Sequence, residues 1–310
     1  MKAYEQTLTY LSTLKLKGIA MGLDEMINDA EIKKDSYITF LNQIFTTEIS
    51  YRVKRRMERN MTAAHFPVIK KIDNFDFGLI KGIGRSEAIN LLDCRWIDNQ
   101  ENLLFFGPPG VGKTHLAIAF GVAAIEKGYK VCFEKITNLI KLLKTAEVQK
   151  KSEYRIRRIM KSALMIIDEI GYTPIEKREA NLFFSMISEM YEKLSIIVTS
   201  NKSFESWAEM MGDSIMTTAL LDRLLHHARV FTLDGESYRI KNQNKEVLII
   251  SCVLKNGIPV FQHYRKTTFQ DHGKCPVHNY RKSPCHLHGF NFYLYHACVC
   301  KGWRQWDMLS

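Results

Sequence analysis

Residues 102–114 constrain the fold of this chain more than any other stretch of the sequence. Leu103 to Phe106 are four apolar residues that predict a short buried strand, and an apolar helical pattern runs from His115 to Lys127. The eight residues between them form a glycine-rich loop: Gly107, Pro108, Pro109, Gly110, Val111, Gly112, Lys113 and Thr114. A strand, a glycine-rich loop and a helix in this order are the context that a phosphate-binding loop requires. An ordinary glycine-rich turn before a helix does not account for the complete motif.

The residue types of this loop suit the phosphate chain of a nucleotide. Glycine lets the backbone curl so that consecutive N–H groups point at phosphate oxygens, and the following helix adds its positive amino end. Lys113 can reach the β- and γ-phosphates, and Thr114 offers a hydroxyl ligand for Mg²⁺. We therefore predict a nucleotide site formed by residues 107–115, which includes His115.

A second motif ends in two carboxylates. Leu164 to Ile167 predict a buried strand, and Asp168 and Glu169 follow it directly. We expect Asp168 to hold Mg²⁺, directly or through water, and Glu169 to orient and deprotonate an attacking water. Hydrolysis needs this second acid, whereas a phosphate-loop kinase or a nucleotide sensor can do without it. An apolar strand before Asp-Glu is weak evidence alone, but it is strong downstream of a complete phosphate-binding loop.

Polar residues further along the chain complete the predicted site. Ile196 to Ser200 predict another buried strand, and Asn201 after it could contact the γ-phosphate or the attacking water, or could simply form a turn. The first interpretation is favoured because ligands bind at the carboxyl ends of parallel strands. Arg223 and Arg239 each offer a guanidinium that could stabilise charge on a transferred phosphoryl group. Taken as isolated residues, these arginines are more often surface ion-pair partners.

Residues 1 to about 65 predict helices, because apolar residues recur there at near-helical spacing. Ser36 is a candidate cap for the second of these helices. Four residues are predicted to bury one face of it: Phe40, Leu41, Ile44 and Phe45. The helix continues into a strongly basic segment, residues 51–59.

Positive charge dominates the chain, which has 44 Lys and Arg against 33 Asp and Glu and a formal net charge of +11. This balance favours an acidic partner, nucleic acid first. Two basic segments are candidate phosphate-contacting surfaces, residues 52–59 and residues 150–161. The basic residues of the second are Lys150, Lys151, Arg155, Arg157, Arg158 and Lys161. For the first segment, a solvated helix face explains the run of charge equally well.

No apolar run approaches the roughly twenty residues that cross a membrane, and the amino terminus lacks the apolar core of a signal peptide. We therefore expect a cytoplasmic protein without a membrane partner. Five of the seven cysteines follow residue 241, and their odd number argues against a disulfide framework. Cys275 and His278, and Cys285 and His288, have paired spacing, but the loop between the pairs is short for common zinc modules. We favour a tail acquired through a frame change or a sequence junction.

Several segments together resemble the IstB-like ATP-binding proteins of bacterial insertion sequences, which are relatives of the DnaC-type helicase loaders. These segments are IDNFDF, NLLFFGPPGVGKTHLAIAFG, LMIIDEIGYTP, IVTSN, FESWAEMMGD, LLDRLLHHARVF and GESYRIK. They extend the resemblance over about residues 5–241, and the combination of GYTP, DRLLHH and GESYR is specific to this group. Relatives usually end soon after GESYR, so residues 242–310 depart from the family pattern.

The resemblance implies an AAA+ ATPase that binds ATP and Mg²⁺. The implied fold class is α/β, a P-loop parallel sheet with helices on both faces, preceded by a small helical domain. The chain would then divide into a helical DNA- or partner-binding domain (1–70), the AAA+ domain (71–241) and an atypical tail (242–310). The implied roles are Walker A for Lys113 and Thr114, Walker B for Asp168 and Glu169, sensor 1 for Asn201, arginine finger for Arg223 and sensor 2 for Arg239.

The resemblance also implies a function. It is that of an ATP-dependent helper of transposition, which forms a homo-oligomer on double-stranded DNA and cooperates with a transposase in target selection. The alternatives are a DnaC-like helicase loader, a non-hydrolysing DNA-binding adaptor and a P-loop kinase or other small-molecule enzyme. Glu169 argues against the adaptor. The basic composition and the lack of an evident second substrate pocket argue against the kinase.

Overall fold

A computed structural model describes residues 2–171 and 174–238, together with the backbone of four strands between residues 249 and 296. The chain divides into two compact units, Met1–Lys245 and Glu246–Ser310. The first unit begins with three helices, α1 (Lys2–Thr13), α2 (Lys17–Lys33) and α3 (Tyr37–Ala64). The boundary that the sequence predicts near residue 70 therefore falls inside the first unit.

A buried carboxylate joins α2 to α3. Glu48 on α3 is only 4% exposed, and its Oε2 accepts hydrogen bonds from the backbone N–H groups of Gly18 (2.7 Å) and Ile19 (3.1 Å). These are unpaired donors in the first turn of α2, so Glu48 caps that helix from a distance of thirty residues along the chain. Its Oε1 accepts from Arg52 Nε at 2.7 Å.

The predicted helix cap is present, but the predicted apolar face of α3 is only half correct. Ser36 Oγ accepts from the backbone N–H of Thr39 at 3.2 Å, as expected for a cap. Phe40 and Ile44 pack against the small core between α1 and α2. Leu41 and Phe45 are instead 45% and 54% exposed, because the α1–α2 pair covers only one narrow stripe of α3.

The rest of the first unit alternates strands and helices. Two short 3-10 turns, Ile72–Asn74 and Phe77–Leu79, lead into it. The strands are β1 (Ile80–Lys81), β2 (Asn102–Phe106), β3 (Val131–Lys135), β4 (Leu164–Ile170), β5 (Ser195–Ser200), β6 (Ala228–Thr232) and β7 (Asp234–Gly235). The helices are α4 (Arg85–Leu91), α5 (Arg95–Asp98), α6 (Lys113–Glu126), α7 (Ile136–Thr145), α8 (Lys150–Met160), α9 (Lys177–Met190), α10 (Glu205–Met211) and α11 (Ser214–Leu225).

Five strands form one parallel sheet in the order β3-β4-β5-β2-β6, and β1 pairs antiparallel with β7 beside it. Successive side chains of a strand point to opposite faces, which assigns the strand residues to two cores. Leu103 and Phe105 pack under α6, whereas Leu104 and Phe106 pack under the layer that contains α9 and α11. The prediction of a parallel α/β sheet with helices on both faces, preceded by a helical segment, is confirmed.

The second unit contains two antiparallel hairpins, β8 (Ile249–Lys255) with β9 (Ile258–Tyr264) and β10 (Arg281–Leu287) with β11 (Phe290–His296). Cys285 lies in β10, opposite Phe292. The other three residues of the paired Cys and His spacing, Cys275, His278 and His288, lie outside the described residues. In the part of the chain that is described, no helix is long and apolar enough to cross a membrane.

One residue of the second basic segment does not lie on the surface. Arg155 on α8 is 7% exposed, and its Nε donates to Glu134 Oε1 at 2.6 Å. Its guanidinium also donates to the carbonyls of Ala63 (3.0 Å) and Phe133 (3.1 Å). The expectation that Arg155 contributes to a phosphate-contacting surface is therefore wrong, since its donors are used inside the protein to hold the end of α3 against β3.

We expect the replacement Glu48→Gln to destabilise the protein at neutral pH by about 1–3 kcal/mol, because charged hydrogen bonds at a buried helix cap are weakened. Burial opposes the charge of Glu48, but hydrogen bonds from Arg52, Ile19 and Gly18 prevail and lower its pKa. Its stabilising contribution is therefore present above the normal glutamate range and is lost as the pH falls through the lowered folded value.

Urea unfolding of wild type and variant from pH 3 to pH 8 measures this difference, with the exposed Glu25→Gln on α2 as the control. The free energy of unfolding of the wild type should exceed that of Glu48→Gln at neutral pH, and this difference should become smaller as the pH falls. A difference that is constant over the whole pH range would contradict a role for the Glu48 charge.

Candidate functional site

The predicted phosphate-binding loop lies where the carboxyl ends of β2, β4 and β5 meet. Gly112 immediately precedes α6 and has φ of 94°, a left-handed conformation that favours glycine. A Cβ atom at Gly112 would lie 2.5 Å from Cε2 of Phe75, and one at Gly107 would collide with the carbonyl oxygen of Leu233. The loop is thus enclosed so closely that these two positions exclude any side chain.

The side chain of Lys113 spans the phosphate-binding loop. Lys113 Nζ donates to the carbonyls of Gly107 (2.7 Å) and Pro108 (2.8 Å), which holds the ammonium group across the loop. The first turn of α6 presents its backbone N–H groups at the loop, which is the arrangement by which helix amino ends bind anions. Val111, within the loop, is buried in the core that packs against α6. On the outside, the backbone N–H of Tyr238 donates to the carbonyl of Gly110 at 3.1 Å, which closes the loop against the segment after β7.

Asp168 connects the loop to the two neighbouring strands. Its Oδ1 accepts hydrogen bonds from Thr114 Oγ1 at 2.8 Å and from Thr199 Oγ1 at 2.6 Å. The residue is 1% exposed, and this burial raises the pKa of its carboxyl, although the two hydroxyl donors act in the opposite direction. A hydroxyl and a carboxylate side by side are hard oxygen ligands of the kind that Mg²⁺ prefers.

Glu169 has a constrained backbone. The pairing of β4 with β5 is irregular between Ile167 and Ile170, and Glu169 within this bulge has φ of 64°, a conformation uncommon for a residue with a side chain. Its N–H donates to Thr199 Oγ1 at 3.0 Å. Its carboxylate forms an ion pair with Lys135 Nζ at 2.8 Å. The bulge therefore turns Glu169 out of the strand direction and toward the end of β3.

Asn201 follows β5 and lies beside Gly171, so the ends of β4 and β5 are close together. Its Oδ1 is buried and has no hydrogen-bond partner among the described residues. Buried polar atoms without partners are rare in folded proteins, and one at such a site fits a position where a ligand or water is bound. This orphaned acceptor and the side-chain-free positions of the loop are the features that fit a nucleotide with a bound metal ion.

His115 does not face the centre of the loop. Its ring packs edge-on against Phe75, with 5.2 Å between the ring centroids, and its Nε2 is 2.9 Å from the carbonyl oxygen of Lys71. Burial lowers its pKa. The structure therefore places His115 between α6 and the segment that leads into the sheet, where it positions Phe75 against Gly112.

Of the two predicted arginines, the structure describes only Arg223, and it does not lie at the loop. Arg223 lies in the last turn of α11, where its guanidinium stacks over the ring of Phe184 at 4.9 Å. It lines a small recess with Asn102 and Ile196, which begin or nearly begin β2 and β5, so it lies at the amino edge of the sheet, opposite the loop. Arg239 is outside the described residues and directly follows Tyr238, which contacts the loop.

Sequence reasoning missed two residues of this site. Thr199 was hidden inside an apolar strand, although a polar residue one position before the strand end was a signal. Lys135 ends β3, and its closeness to Glu169 follows only from the pairing of β3 with β4, in which Lys135 lies opposite Asp168. Strand order cannot be read from the local sequence.

The geometry of this site agrees with a comparison against known families. The family described as IstB-like ATP binding protein matches residues 9–246, which is more than two thirds of the chain. The chain belongs to this family. The resemblance inferred from the sequence motifs is therefore confirmed.

Named relatives come from insertion sequences. The ATP-binding protein of IS21 from Pseudomonas aeruginosa is 39% identical over 250 residues, which are 81% of this chain and 93% of the relative. That of IS5376 from Geobacillus stearothermophilus is 40% identical over 234 residues, 76% of this chain and 93% of the relative. Among solved structures, the DnaC helicase loader is 21% identical, with a TM-score of 0.41 over 53% of this chain and 96% of its own.

We expect Asp168→Asn to raise the stability of the nucleotide-free protein at neutral pH. The folded pKa of this carboxyl is raised, so folding favours its protonated form, and the wild type loses stability as the pH rises through that value. The amide keeps an oxygen for the two threonine hydroxyls but carries no charge.

Urea midpoints at pH 7.5 and at about pH 3.5, where carboxyls are largely protonated, test this effect of charge burial. The urea midpoint of the variant should be higher than that of the wild type at pH 7.5. The difference between the two midpoints should be smaller at about pH 3.5. Asp73→Asn, on the exposed 3-10 turn, is the control. A variant that is less stable than wild type at pH 7.5 would show that the charge itself supports the fold.

Proposed function

We propose that this protein is an ATPase that assembles on double-stranded DNA and assists a transposase in choosing an insertion target. The observation that carries the proposal is the arrangement at the carboxyl edge of the sheet. There, Thr114, Asp168 and Thr199 share hydrogen bonds, and Glu169 and Asn201 flank them. This arrangement supports hydrolysis because it combines a phosphate-binding loop, a hard-oxygen metal site and a second carboxylate.

ATP is the proposed substrate, held by the loop of residues 107–115. The backbone N–H groups at the start of α6 and the ammonium group of Lys113 would bind its phosphates. On binding, Lys113 would exchange its two carbonyl acceptors for phosphate oxygens, which are stronger acceptors because they are charged. Thr114 and Asp168 would hold Mg²⁺, which neutralises phosphate charge when bound.

Glu169 is the proposed general base, and Asn201 the residue that orients the attacking water. The ion pair with Lys135 holds the Glu169 carboxylate at the end of β3. The ion pair occupies the carboxylate that would have to contact the attacking water, so release of this pair would make Glu169 available for the reaction. Lys135 is therefore a proposed positioning residue, which acts on the reaction through Glu169.

Arg223 is proposed to act across a subunit boundary. Within its own chain it lies at the amino edge of the sheet, away from the loop, so a contact with a nucleotide requires a second copy. This supports a homo-oligomer in which Arg223 of one subunit stabilises phosphate charge in the next. Arg239 is proposed to approach the phosphates of its own subunit, since the preceding residue is bonded to Gly110.

DNA is proposed to bind along α3. Arg52, Arg55, Arg56 and Arg59 have the spacing of one helix face, and all four are exposed. They line a groove of about 470 Å³ together with Lys15 and Lys17. A groove with this density of positive charge suits the phosphate backbone of a duplex. Repetition of the groove in an oligomer would multiply these contacts.

Arg155 supports a link between DNA binding and hydrolysis. It ties the last carbonyls of α3 to β3 through Ala63 and Phe133, and it pairs with Glu134. The next residue of β3 is Lys135, which pairs with Glu169. A continuous set of contacts thus extends from the proposed DNA-binding helix to the proposed general base.

The insertion-sequence origin of the named relatives favours a role in transposition over the helicase-loader alternative. The presence of Glu169 favours hydrolysis over an adaptor that uses ATP only to assemble. A cytoplasmic location follows from a role on chromosomal DNA. The groove on α3 argues against the kinase alternative. It carries more positive charge than the binding of a small phosphorylated substrate requires.

Glu169→Gln should retain ATP binding and lower ATP turnover by roughly 10²–10⁴-fold, which is the usual effect of losing a general base. Steady-state phosphate release and equilibrium binding of a fluorescent ATP analogue measure the two effects. Glu179→Gln is a matched control, because Glu179 is also ion-paired with a lysine, Lys144, at 2.7 Å but lies on α9. Turnover at the wild-type rate in Glu169→Gln would exclude Glu169 as the base.

Reversing charge at two positions of α3, Arg55→Glu with Arg56→Glu, should weaken duplex DNA binding and lower the slope of affinity against salt by about 2, one for each lost phosphate contact. Basal ATP hydrolysis should not change, because neither residue lies near the loop. Gel shifts with and without ATP over a salt series measure binding. The control reverses Lys33 and Lys34, two exposed lysines at the end of α2. Equal losses in both variants would point to a general charge effect and not to this groove.

A further inference from the structure

A cluster of three potential metal ligands lies at the amino edge of the sheet, remote from the phosphate-binding loop. It consists of Glu192, in the turn between α9 and β5, and His226 and His227, between α11 and β6. Nδ1 of His226 and Nε2 of His227 are each 3.9 Å from Oε1 of Glu192. The ligand atoms of all three residues lie within 4.8 Å of one another.

The backbones that carry these side chains are fixed by the fold. The N–H of His226 donates to the carbonyl of Asp222 at 3.0 Å, within the last turn of α11. The carbonyl of His227 accepts from the N–H of Asn102, the first residue of β2, at 2.6 Å. Glu192 has φ of 55°, an uncommon conformation for a residue with a side chain. Strain of this kind is concentrated at functional positions, and here it directs a carboxylate toward two imidazoles.

We propose that Glu192, His226 and His227 form a binding site for a divalent transition metal, for which Zn²⁺ is the best fit. Two imidazole nitrogens and one carboxylate oxygen are a ligand set that Zn²⁺ uses with a water in the fourth position. The hard cations Mg²⁺ and Ca²⁺ prefer oxygen ligands and are disfavoured by the two nitrogens. The side chains are 51–56% exposed, so an ion can enter from solvent.

Small side-chain movements are enough to close the site. Tetrahedral ligands at about 2.1 Å from zinc lie about 3.4 Å from one another, so each imidazole nitrogen must approach the carboxylate by roughly 0.5 Å. Because all ligand atoms lie within 4.8 Å of one another, the two nitrogens must approach each other by at most roughly 1.4 Å. Rotation of three half-exposed side chains can supply this without movement of the backbone. The site therefore needs no rearrangement of the sheet or of α11.

Tyr191 provides a means of testing the assignment of ligand atoms. Its hydroxyl lies 2.8 Å from Nδ1 of His226, in hydrogen-bonding contact. A nitrogen that binds zinc must give up this hydrogen bond whichever of the two atoms is the donor, because the metal requires the nitrogen's lone pair. Tyr191→Phe removes the hydroxyl that competes with zinc for this nitrogen. The substitution should therefore increase the affinity of the site for zinc.

The test is equilibrium dialysis of the full chain against ZnCl₂ at pH 7.5, with excess Mg²⁺ present. The comparison is with the triple variant Glu192→Gln, His226→Gln, His227→Gln. Cysteines and histidines of residues 246–310 are the same in both proteins, so the difference in bound zinc reports this cluster. We expect the wild type to bind one more Zn²⁺ per chain than the variant. Equal stoichiometry would overturn the proposal.

Single substitutions test the assignment of the individual ligands. His227→Gln should weaken this binding event by at least about tenfold, as loss of a ligand requires, and Tyr191→Phe should strengthen it. The exposed His65→Gln is the matched control and should have no effect. The substituted side chains are half exposed, and circular dichroism establishes that each variant is folded. Zinc affinity that is unchanged in His227→Gln, or weakened in Tyr191→Phe, would overturn the assignment.

Discussion

The site depends on one buried carboxylate. Asp168 takes its two hydrogen bonds from residues on different elements, Thr114 at the start of α6 and Thr199 near the end of β5. A single oxygen atom thus fixes the loop helix and two strands relative to one another. The protein bears an unfavourable raised pKa at this position, since a buried negative charge is costly without a cation. A bound metal ion would offset that cost at the position where the proposed ligand would act.

The buried ion pair between Arg155 and Glu134 differs from Asp168, because each of its charges has a partner of opposite sign. Arg155 and Glu134 neutralise each other, and the arginine also satisfies carbonyls at the end of α3 that no helical N–H can reach. Loss of either partner would leave an uncompensated charge in the core, which is among the most destabilising changes a protein can undergo. Helix α3 is therefore part of the same packed unit as the sheet. It shares the core of the sheet through Ala64 and a polar network through Arg155.

Features of this protein that depend on neighbouring residues could be predicted from the sequence, whereas features that depend on contacts between distant residues could not. The phosphate-binding loop and the Asp-Glu pair were predictable because their geometry is set by adjacent residues. The burial of Arg155 was not, since it depends on a carbonyl of Ala63 ninety-two residues away. Leu41 and Phe45 were misassigned for a related reason: helical periodicity identifies an apolar face but not whether another element covers it. The Lys135–Glu169 ion pair required knowledge of strand order.

The length of helix α3 also has a mechanical consequence. Its 28 residues extend over about 42 Å. One end is held by the Arg155 contacts, while Tyr37, Ile38 and Leu41 at the other end are exposed. A rod held at one end works as a lever: a tilt of about 5° at the arginine displaces the distant tip by roughly 4 Å. Conversely, a displacement of several ångströms imposed on the exposed end of α3 becomes a displacement of a few tenths of an ångström beside β3. That is the scale on which a single ion pair is made or broken.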